Sequence, residues 1–183
     1  FTGVGCMKKF HINTRRLVTL ALMAALSTGL HYVESIIPSL LPIPGFRLGL
    51  ANIITLFVLY YYGGLSYLFV TAIKVLLVAL ISSGFGVTFL MSLTGSVLSA
   101  VISLFLYYIV KPSPYGLSVT ASLFHTLGQL LCYGLFFNTF YIFGYLVILG
   151  PLSLLTGFLM ALLVTFLIQR IPQSFLAEER IRR

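Results

Sequence analysis

The sequence predicts an all-α integral membrane protein of six transmembrane helices, with both termini on the cytoplasmic side. Three observations support this prediction. Only 8% of the 183 residues are charged, the mean hydropathy is +1.10, and Glu34 is the one acidic side chain between the basic ends. Chains this apolar fold in lipid. The net charge of +8 does not indicate nucleic-acid binding, because the cations lie in short end segments rather than on a folded face.

The lengths of the apolar stretches place the spans, because a helix needs about 20 apolar residues to cross a bilayer. The stretch 48–81 would form a helix of about 51 Å, and Gly63-Gly64 in its middle predicts a turn. Prolines end the first span, and Lys111-Pro112 ends the fourth. The stretch 117–168 could hold two spans or nearly three. The expected spans are 17–37, 48–62, 65–81 and 89–110, followed by this final stretch.

The distribution of basic residues favours two spans in the final stretch, and therefore six in all. With six spans and a cytoplasmic N-terminus, only Arg47 lies on the outer side, and Lys74 lies within the membrane. Seven spans would place the C-terminal arginines outside. The remaining basic residues all face the cytoplasm, as the positive-inside rule requires: Lys8, Lys9, Arg15, Arg16, Lys111, Arg170, Arg180, Arg182 and Arg183.

The chain divides into four segments. We expect residues 1–6 to be a non-native extension, because Met7 followed by two lysines has the pattern of a native start. Residues 7–16 form a basic cytoplasmic head, 17–169 the six-helix membrane domain, and 170–183 a basic cytoplasmic tail. Cys6 and Cys132 predict no disulfide framework, since one lies in the head and the other within a span.

Three charged side chains near or within the spans are the first candidates for function: Glu34, Arg47 and Lys74. A lysine in the middle of a span is costly to insert, so Lys74 should face a cavity or a partner. One interpretation is a structural ion pair, in which Glu34 binds Arg47 or Lys74. The other is a substrate pocket that opens outward, because two cations against one carboxylate leave a positive charge for an anionic ligand.

Three uncharged polar side chains extend this candidate site. Asn52 lies one turn into the second span, and His125 and Gln129 share a face of the fifth because they are four residues apart. Alternatively, such side chains can have a purely structural role, in which they form hydrogen bonds between helices. No second histidine or cysteine stands at metal-ligand spacing, so we expect neither a metal nor a cofactor.

Aromatic residues are frequent near the outer half of the predicted bundle. They either pack the helices or form the apolar wall of a small-molecule pocket. The segment 38–45 is stiff, because it contains three prolines, and we expect it to form either a lid over the pocket or a rigid turn. The aromatic residues in question are Phe46, Phe85, Phe89, Phe136, Phe137 and Tyr141.

Small residues recur every four positions in three of the predicted helices. Ala21, Ala25 and Gly29 form such a stripe on the first helix, where it would let another helix approach closely. One or two of the three stripes must serve internal packing. The other two stripes are Gly95, Ser99 and Ser103 in span four, and Gly157, Ala161 and Thr165 in span six.

Several motifs together resemble a known family. The opening Arg15-Arg16-Leu-Val-Thr-Leu-Ala21-Leu-Met-Ala-Ala25 resembles the substrate-binding subunit of energy-coupling factor (ECF) importers. Two longer motifs are similar to the branch called the Gx transporter family, also described as heptaprenyl diphosphate synthase component I. They are Pro42-Ile-Pro-Gly-Phe-Arg47-Leu-Gly49-Leu-Ala-Asn52-Ile and His125-Thr-Leu-Gly128-Gln129-Leu-Leu. The likeness covers roughly residues 15–168.

The resemblance implies a transport mechanism in a bacterial plasma membrane. Such a subunit captures a scarce small molecule outside and docks through the Ala21 and Ala25 face of its first helix onto a membrane coupling subunit. Two ATPase subunits drive the import, so the chain itself would not be an enzyme. The expected substrate is anionic and amphipathic, such as a quinone precursor, an isoprenoid precursor or a vitamin, held by Glu34, Arg47, Lys74 and the three polar side chains.

Two alternatives stay open. Prenyl diphosphate synthesis needs clustered carboxylates to hold Mg²⁺ on the diphosphate, and only three acidic residues exist in this chain. It could therefore serve that reaction only as an accessory membrane subunit. A self-sufficient proton-coupled transporter would need a titrating group in its pathway, for which Glu34 and His125 are the candidates.

Overall fold

The computed structural model describes residues 14–36 and 49–170, which form six α-helices and no strand. The predicted all-α fold is confirmed for this part of the chain. The third and fourth helices end in single π-helical segments, Ala79–Ser83 and Leu106–Val110, and a short 3₁₀ helix, Phe140–Tyr145, precedes the sixth. The six helices are α1 (Thr14–Ile36), α2 (Ala51–Tyr62), α3 (Gly64–Val78), α4 (Val87–Phe105), α5 (Pro114–Phe136) and α6 (Leu146–Arg170).

Five of these helices, together with their π-helical or 3₁₀ extensions where present, are long and apolar enough to cross a membrane, and α2 is the exception. With 12 residues, α2 is about 18 Å long, shorter than the ~30 Å hydrocarbon layer. The expected break in the long second stretch is confirmed, because Gly63 turns the chain between α2 and α3 with φ of 84°. The protein is therefore a helical membrane protein, while six full spans and cytoplasmic termini stay predictions.

The helix bounds differ slightly from those expected, and several predicted features lie outside the described residues. The helix α1 begins at Thr14 rather than at residue 17, and α2 begins at Ala51 rather than at residue 48. The extension 1–6, most of the basic head, and the tail beyond Arg170 lie outside the described part. So does the connection 37–48, with Phe46 and Arg47.

Polar contacts show which ends of the helices lie together. The Arg16 guanidinium, at the start of α1, donates to the Tyr62 carbonyl oxygen at 2.8 Å and to Ser66 Oγ at 2.9 Å. The Tyr60 hydroxyl donates to the Pro112 carbonyl oxygen at 3.3 Å. The start of α1, the α2–α3 turn and the α4–α5 turn therefore share one end of the bundle, called here the Gly63 end. The opposite end, where α2 begins, is called the Glu34 end.

The core lies around α2, and the helices on one side of it pack through small residues. Val58 and Leu59 of α2 are fully buried. A Cβ atom added at Gly128 of α5 would lie 2.8 Å from the Gly95 Cα of α4. Similarly, a Cβ atom at Gly157 of α6 would lie 2.9 Å from a backbone atom of α5. The small-residue stripes of spans four and six therefore serve internal packing.

Candidate functional site

A cavity lies at the Glu34 end, between the start of α2 and the surrounding helices. Its volume is about 70 Å³, which leaves room for several water molecules. Five of the six substrate-binding residues expected from the sequence line it: Glu34, Asn52, Lys74, His125 and Gln129. The sixth, Arg47, lies outside the described residues. The structure thus brings together the described candidates, and their role in binding a substrate stays a prediction.

Glu34 joins the end of α1 to the start of α2. Its Oε1 accepts a hydrogen bond of 2.6 Å from the Gly49 N–H, and its Oε2 accepts one of 3.2 Å from the Leu50 N–H. The side chain is only 7% exposed. A carboxylate is favoured here because the N-terminus of a helix carries partial positive charge and unsatisfied N–H groups. Both oxygens of Glu34 are therefore held by backbone amides.

Lys74 lies in the middle of α3 and is 7% exposed. Its ammonium donates to Asn52 Oδ1 at 3.2 Å. The sequence analysis considered an ion pair of Glu34 with Arg47 or with Lys74. Among the described residues Glu34 and Lys74 form no direct ion pair, although the carboxylate acts on the ammonium through space, and Arg47 lies outside the described residues. A buried ammonium that faces a cavity and has an uncharged partner can bind an anionic group, because its charge is not neutralised by direct contact.

His125 and Gln129 reach the cavity from α5, on the shared face that their spacing predicts. Gly95 of α4 makes this possible, because a Cβ atom there would lie 2.8 Å from the His125 carbonyl oxygen and 2.9 Å from Gln129 Cγ. The structure gives the Gln129 amide no hydrogen-bond partner among the described residues. A side chain that only joined helices would have such a partner, so Gln129 is available to a ligand.

Hydroxyl groups complete the cavity wall, and the sequence analysis missed them. Ser96 is 6% exposed and lines the cavity, with no hydrogen bond from its hydroxyl to another described residue. His31 of α1 also lines the cavity, and a lone histidine within an apolar span was a visible signal for it. The hydroxyl-bearing residues of the wall are Ser92, Ser96, Ser122, Thr126, Ser153 and Thr156.

The chain matches one family model over most of its length. Residues 23–167 match the model of heptaprenyl diphosphate synthase component I. The chain belongs to this family. The match includes every described residue of the cavity wall. No curated protein and no solved structure is significantly similar to the chain.

The sequence analysis considered an apolar wall of aromatic residues for the pocket, and for the described residues this prediction is wrong. No aromatic side chain of the described residues lines the cavity. Instead, Phe85, Phe136, Phe137 and Tyr141 are exposed, with Tyr141 at 93%. Aromatic residues are stable where a membrane protein meets lipid and headgroups. The cavity wall is consequently built from hydroxyl, amide and charged groups, with small aliphatic side chains between them.

The small-residue stripe of α1 differs from the other two stripes, because it lies on the outside of the protein. Ala21, Ala25 and Gly29 are all exposed. A Cβ atom added at Gly29 would meet nothing within 4 Å. Packing between the described helices therefore does not account for this stripe. Its predicted contact with a coupling subunit stays a prediction.

Proposed function

We propose that this chain is the substrate-binding membrane subunit of an ECF-type importer, and that it captures a small anion in the cavity beside Lys74. The observation that carries the proposal is the buried Lys74 ammonium, which faces a polar cavity and binds an amide oxygen. Charged groups within spans are costly and mark substrate pathways. In a receptor for an anion, the buried ammonium would contribute directly to binding, whereas in a bundle that only packs its helices it would contribute nothing.

The electrostatics of the cavity favour an anion over a cation. Glu34 is the only acidic residue among the described residues, and its two oxygens accept from the Gly49 and Leu50 amides. Among the described residues Asn52 is the one hydrogen-bond partner of the Lys74 ammonium, and Glu34 acts on the ammonium only through space. An anionic ligand would supply a counter-charge in direct contact, through short, charge-assisted hydrogen bonds.

The polarity of the wall favours a compact, polar substrate. Hydroxyl groups from α4, α5 and α6 line the cavity together with Gln129, and no aromatic side chain of the described residues joins them. Thr126, Ser153 and Thr156 already donate to carbonyl oxygens of their own helices. A ligand with hydroxyl or carbonyl groups would pair the Gln129 amide and the Ser96 hydroxyl, which a prenyl chain or a naphthalene ring would leave unpaired. A polar anionic vitamin or precursor therefore fits this cavity better than the quinone and isoprenoid precursors considered from the sequence.

The exposed face of α1 supports docking on a coupling subunit. Helices associate in lipid where small residues let their backbones come close, and Ala21, Ala25 and Gly29 offer such a face on the outside of the bundle. In this proposal the partner module supplies ATP hydrolysis, and the chain acts as a receptor rather than as an enzyme. The proposed location is a bacterial plasma membrane.

Co-purification tests this proposal. The tagged chain is expressed with the coupling subunit and the two ATPases of its own organism, and we expect all four proteins to elute together. Ala21→Leu combined with Ala25→Leu should abolish the complex, because two bulky side chains block a close helix contact. Ala72→Leu, at an exposed position of α3, is the matched control and should leave the complex intact. Elution of the chain alone, while the other three proteins assemble, would contradict the proposal.

The family description favours a second candidate, an accessory membrane subunit of heptaprenyl diphosphate synthesis. One acidic residue in the described part cannot form the carboxylate clusters that hold Mg²⁺ on a diphosphate. In this role the chain would bind a separate catalytic subunit. The same tagged chain, expressed with the prenyl diphosphate synthase of its organism, would then co-elute with that enzyme instead of with the ATPases.

A further inference from the structure

Five of the described helices form a closed ring around the cavity at the Glu34 end. From α2 to α6 each helix packs against the next one along the chain, and α6 packs back against α2, while α1 packs against α2 and α3. In a ring of five, α5 lies across from the pair α2 and α3. Gln129 of α5 therefore reaches the cavity from the side opposite to Asn52 and Lys74.

The two sides of the cavity differ in charge. Both charged residues of the described wall, Glu34 and Lys74, come from the side of α1 and α3. The described wall residues of α4, α5 and α6 include no Asp, Glu, Lys or Arg, and His125 is the titratable one among them. An anionic group therefore finds its cation on the α3 side. A second anionic group, on the α5 side, would be buried without a cation in contact, which is costly.

Two uncharged polar groups on the α4 and α5 side lack hydrogen-bond partners among the described residues: the Gln129 amide and the Ser96 hydroxyl. The Gln129 side chain crosses α4 at Gly95, since Gln129 Cγ lies 2.9 Å from the place of a Gly95 Cβ atom, and Ser96 is the next residue. An amide offers two donors and an acceptor, and a hydroxyl both donates and accepts. Leaving such groups unpaired inside a protein is costly. A ligand group that both donates and accepts hydrogen bonds would pair with both of them.

We propose that the substrate of this cavity is a monoanion that also carries an uncharged group able to donate and accept hydrogen bonds, such as a carboxamide. This inference rests on the proposed function and adds the second half of the substrate. The anionic group binds the Lys74 ammonium, and the carboxamide binds Gln129 and Ser96 across the cavity. A second carboxylate in place of the carboxamide would lack a cation, and a methyl group would leave the amide and the hydroxyl unpaired.

Four compounds with the same four-carbon chain test this proposal. Succinamate is a monoanion with a carboxamide, succinate is a dianion, butyrate is a monoanion with an apolar end, and succinamide is a neutral diamide. The chain is short because the cavity has room for only several water molecules. Scanning calorimetry of the full chain, with sodium chloride of equal ionic strength as the reference, measures how Tm rises with the concentration of each compound. This rise gives the apparent affinity.

We expect succinamate to bind at least about tenfold more tightly than each of the other three compounds. The measurement is made at about pH 8, where histidine is ordinarily uncharged. Gln129→Leu removes the amide at nearly the same size and should abolish the preference for succinamate over butyrate. Ser96→Ala should reduce this preference several-fold. Gln169→Leu, at an exposed position near the end of α6, is the matched control and should keep the preference of the wild type.

The comparison of the four compounds separates failure of this inference from failure of the proposed function. If butyrate or succinate binds as tightly as succinamate, and all three bind more tightly than succinamide, the inference is overturned and an anion site beside Lys74 stands. If succinamide binds as tightly as succinamate, the cavity does not recognise charge, and both proposals are overturned. If no compound raises Tm more than sodium chloride does, or if Gln129→Leu keeps the full preference, the inference is overturned, while co-purification still decides the proposed function.

Discussion

Replacing Lys74 by methionine distinguishes a ligand-binding lysine from a structural one. If Lys74 formed the essential half of a buried ion pair, its loss would leave a buried carboxylate uncompensated and cost about 3–5 kcal/mol. The structure predicts a different result, because the Glu34 oxygens are held by the Gly49 and Leu50 amides. The carboxylate keeps these partners when the lysine is removed. We therefore expect Lys74→Met to leave the empty protein about as stable as the wild type or slightly more stable.

The expected size of the effect follows from two opposing contributions. Removing a cation from the centre of a span recovers about 2.5–3.5 kcal/mol on insertion scales. Losing the hydrogen bond to Asn52 costs about 1.5–3 kcal/mol, since the donor is charged. The difference lies between a loss of about 0.5 kcal/mol and a gain of about 2 kcal/mol. For a chain of this length, 2 kcal/mol corresponds to about 4–8 °C in melting temperature.

The assay is thermal unfolding in detergent micelles, followed by far-UV circular dichroism because the chain has no tryptophan. Glu34→Gln is the control variant. It should lower Tm, because the glutamine carbonyl oxygen can keep one of the two bonds in a weaker, uncharged form, whereas its NH2 group cannot accept from the other backbone N–H. A Tm loss of about 6–20 °C for Lys74→Met, the equivalent of 3–5 kcal/mol, would refute the reasoning. Such a loss would support the interpretation of Lys74 and Glu34 as a structural ion pair. The support would be strongest if the double variant Lys74→Met with Glu34→Gln regained the lost stability.

Two further predictions concern the packing and the Gly63 end, with the same unfolding assay. Gly128→Ala should lose about 1–3 kcal/mol, because its Cβ would lie 2.8 Å from backbone of α4. Gly29→Ala should instead gain up to about 1 kcal/mol, since the helix position is open, and equal effects would contradict the packing described. Arg16→Gln should lower Tm, because the guanidinium bonds to the last carbonyl of α2, at Tyr62. Arg15→Gln, at an exposed position, is the control and should leave Tm unchanged. If Arg15→Gln lowered Tm as much as Arg16→Gln does, the bond to the Tyr62 carbonyl would not be the cause.

The sequence predicted the helices well because lipid leaves few alternatives to them. Apolar stretches of known length indicated where the helices lie, and the Gly63-Gly64 pair correctly indicated the turn between α2 and α3. The sequence placed the start of α2 at residue 48, three residues before the observed start at Ala51. Gly49, which adopts φ of 80°, was the available signal, because glycine readily adopts a backbone conformation that does not continue a helix.

The cavity wall was predictable only in part, and the reason is chemical. Glu34, Lys74 and Gln129 are so costly in lipid that each needs a polar environment, and one cavity serves all three. Serine and threonine give no such signal, because their hydroxyls can bond to a carbonyl of their own helix. Thr28 does so with Ala24. A hydroxyl on an apolar helix therefore predicts a cavity only once its neighbours are known.

The short α2 helix and the single acidic residue of the membrane domain are connected. Because α2 is about 18 Å long, it is shorter than the ~30 Å hydrocarbon layer, and the amides before its first turn need acceptors within the protein. Glu34 supplies acceptors for the Gly49 and Leu50 amides that precede the helix. Its oxygens are thereby bound by backbone amides, and the Lys74 ammonium is left with Asn52 as its hydrogen-bond partner among the described residues. In the proposed function an anionic ligand would bind this ammonium, and the way in which α2 begins would then keep the ammonium available to it.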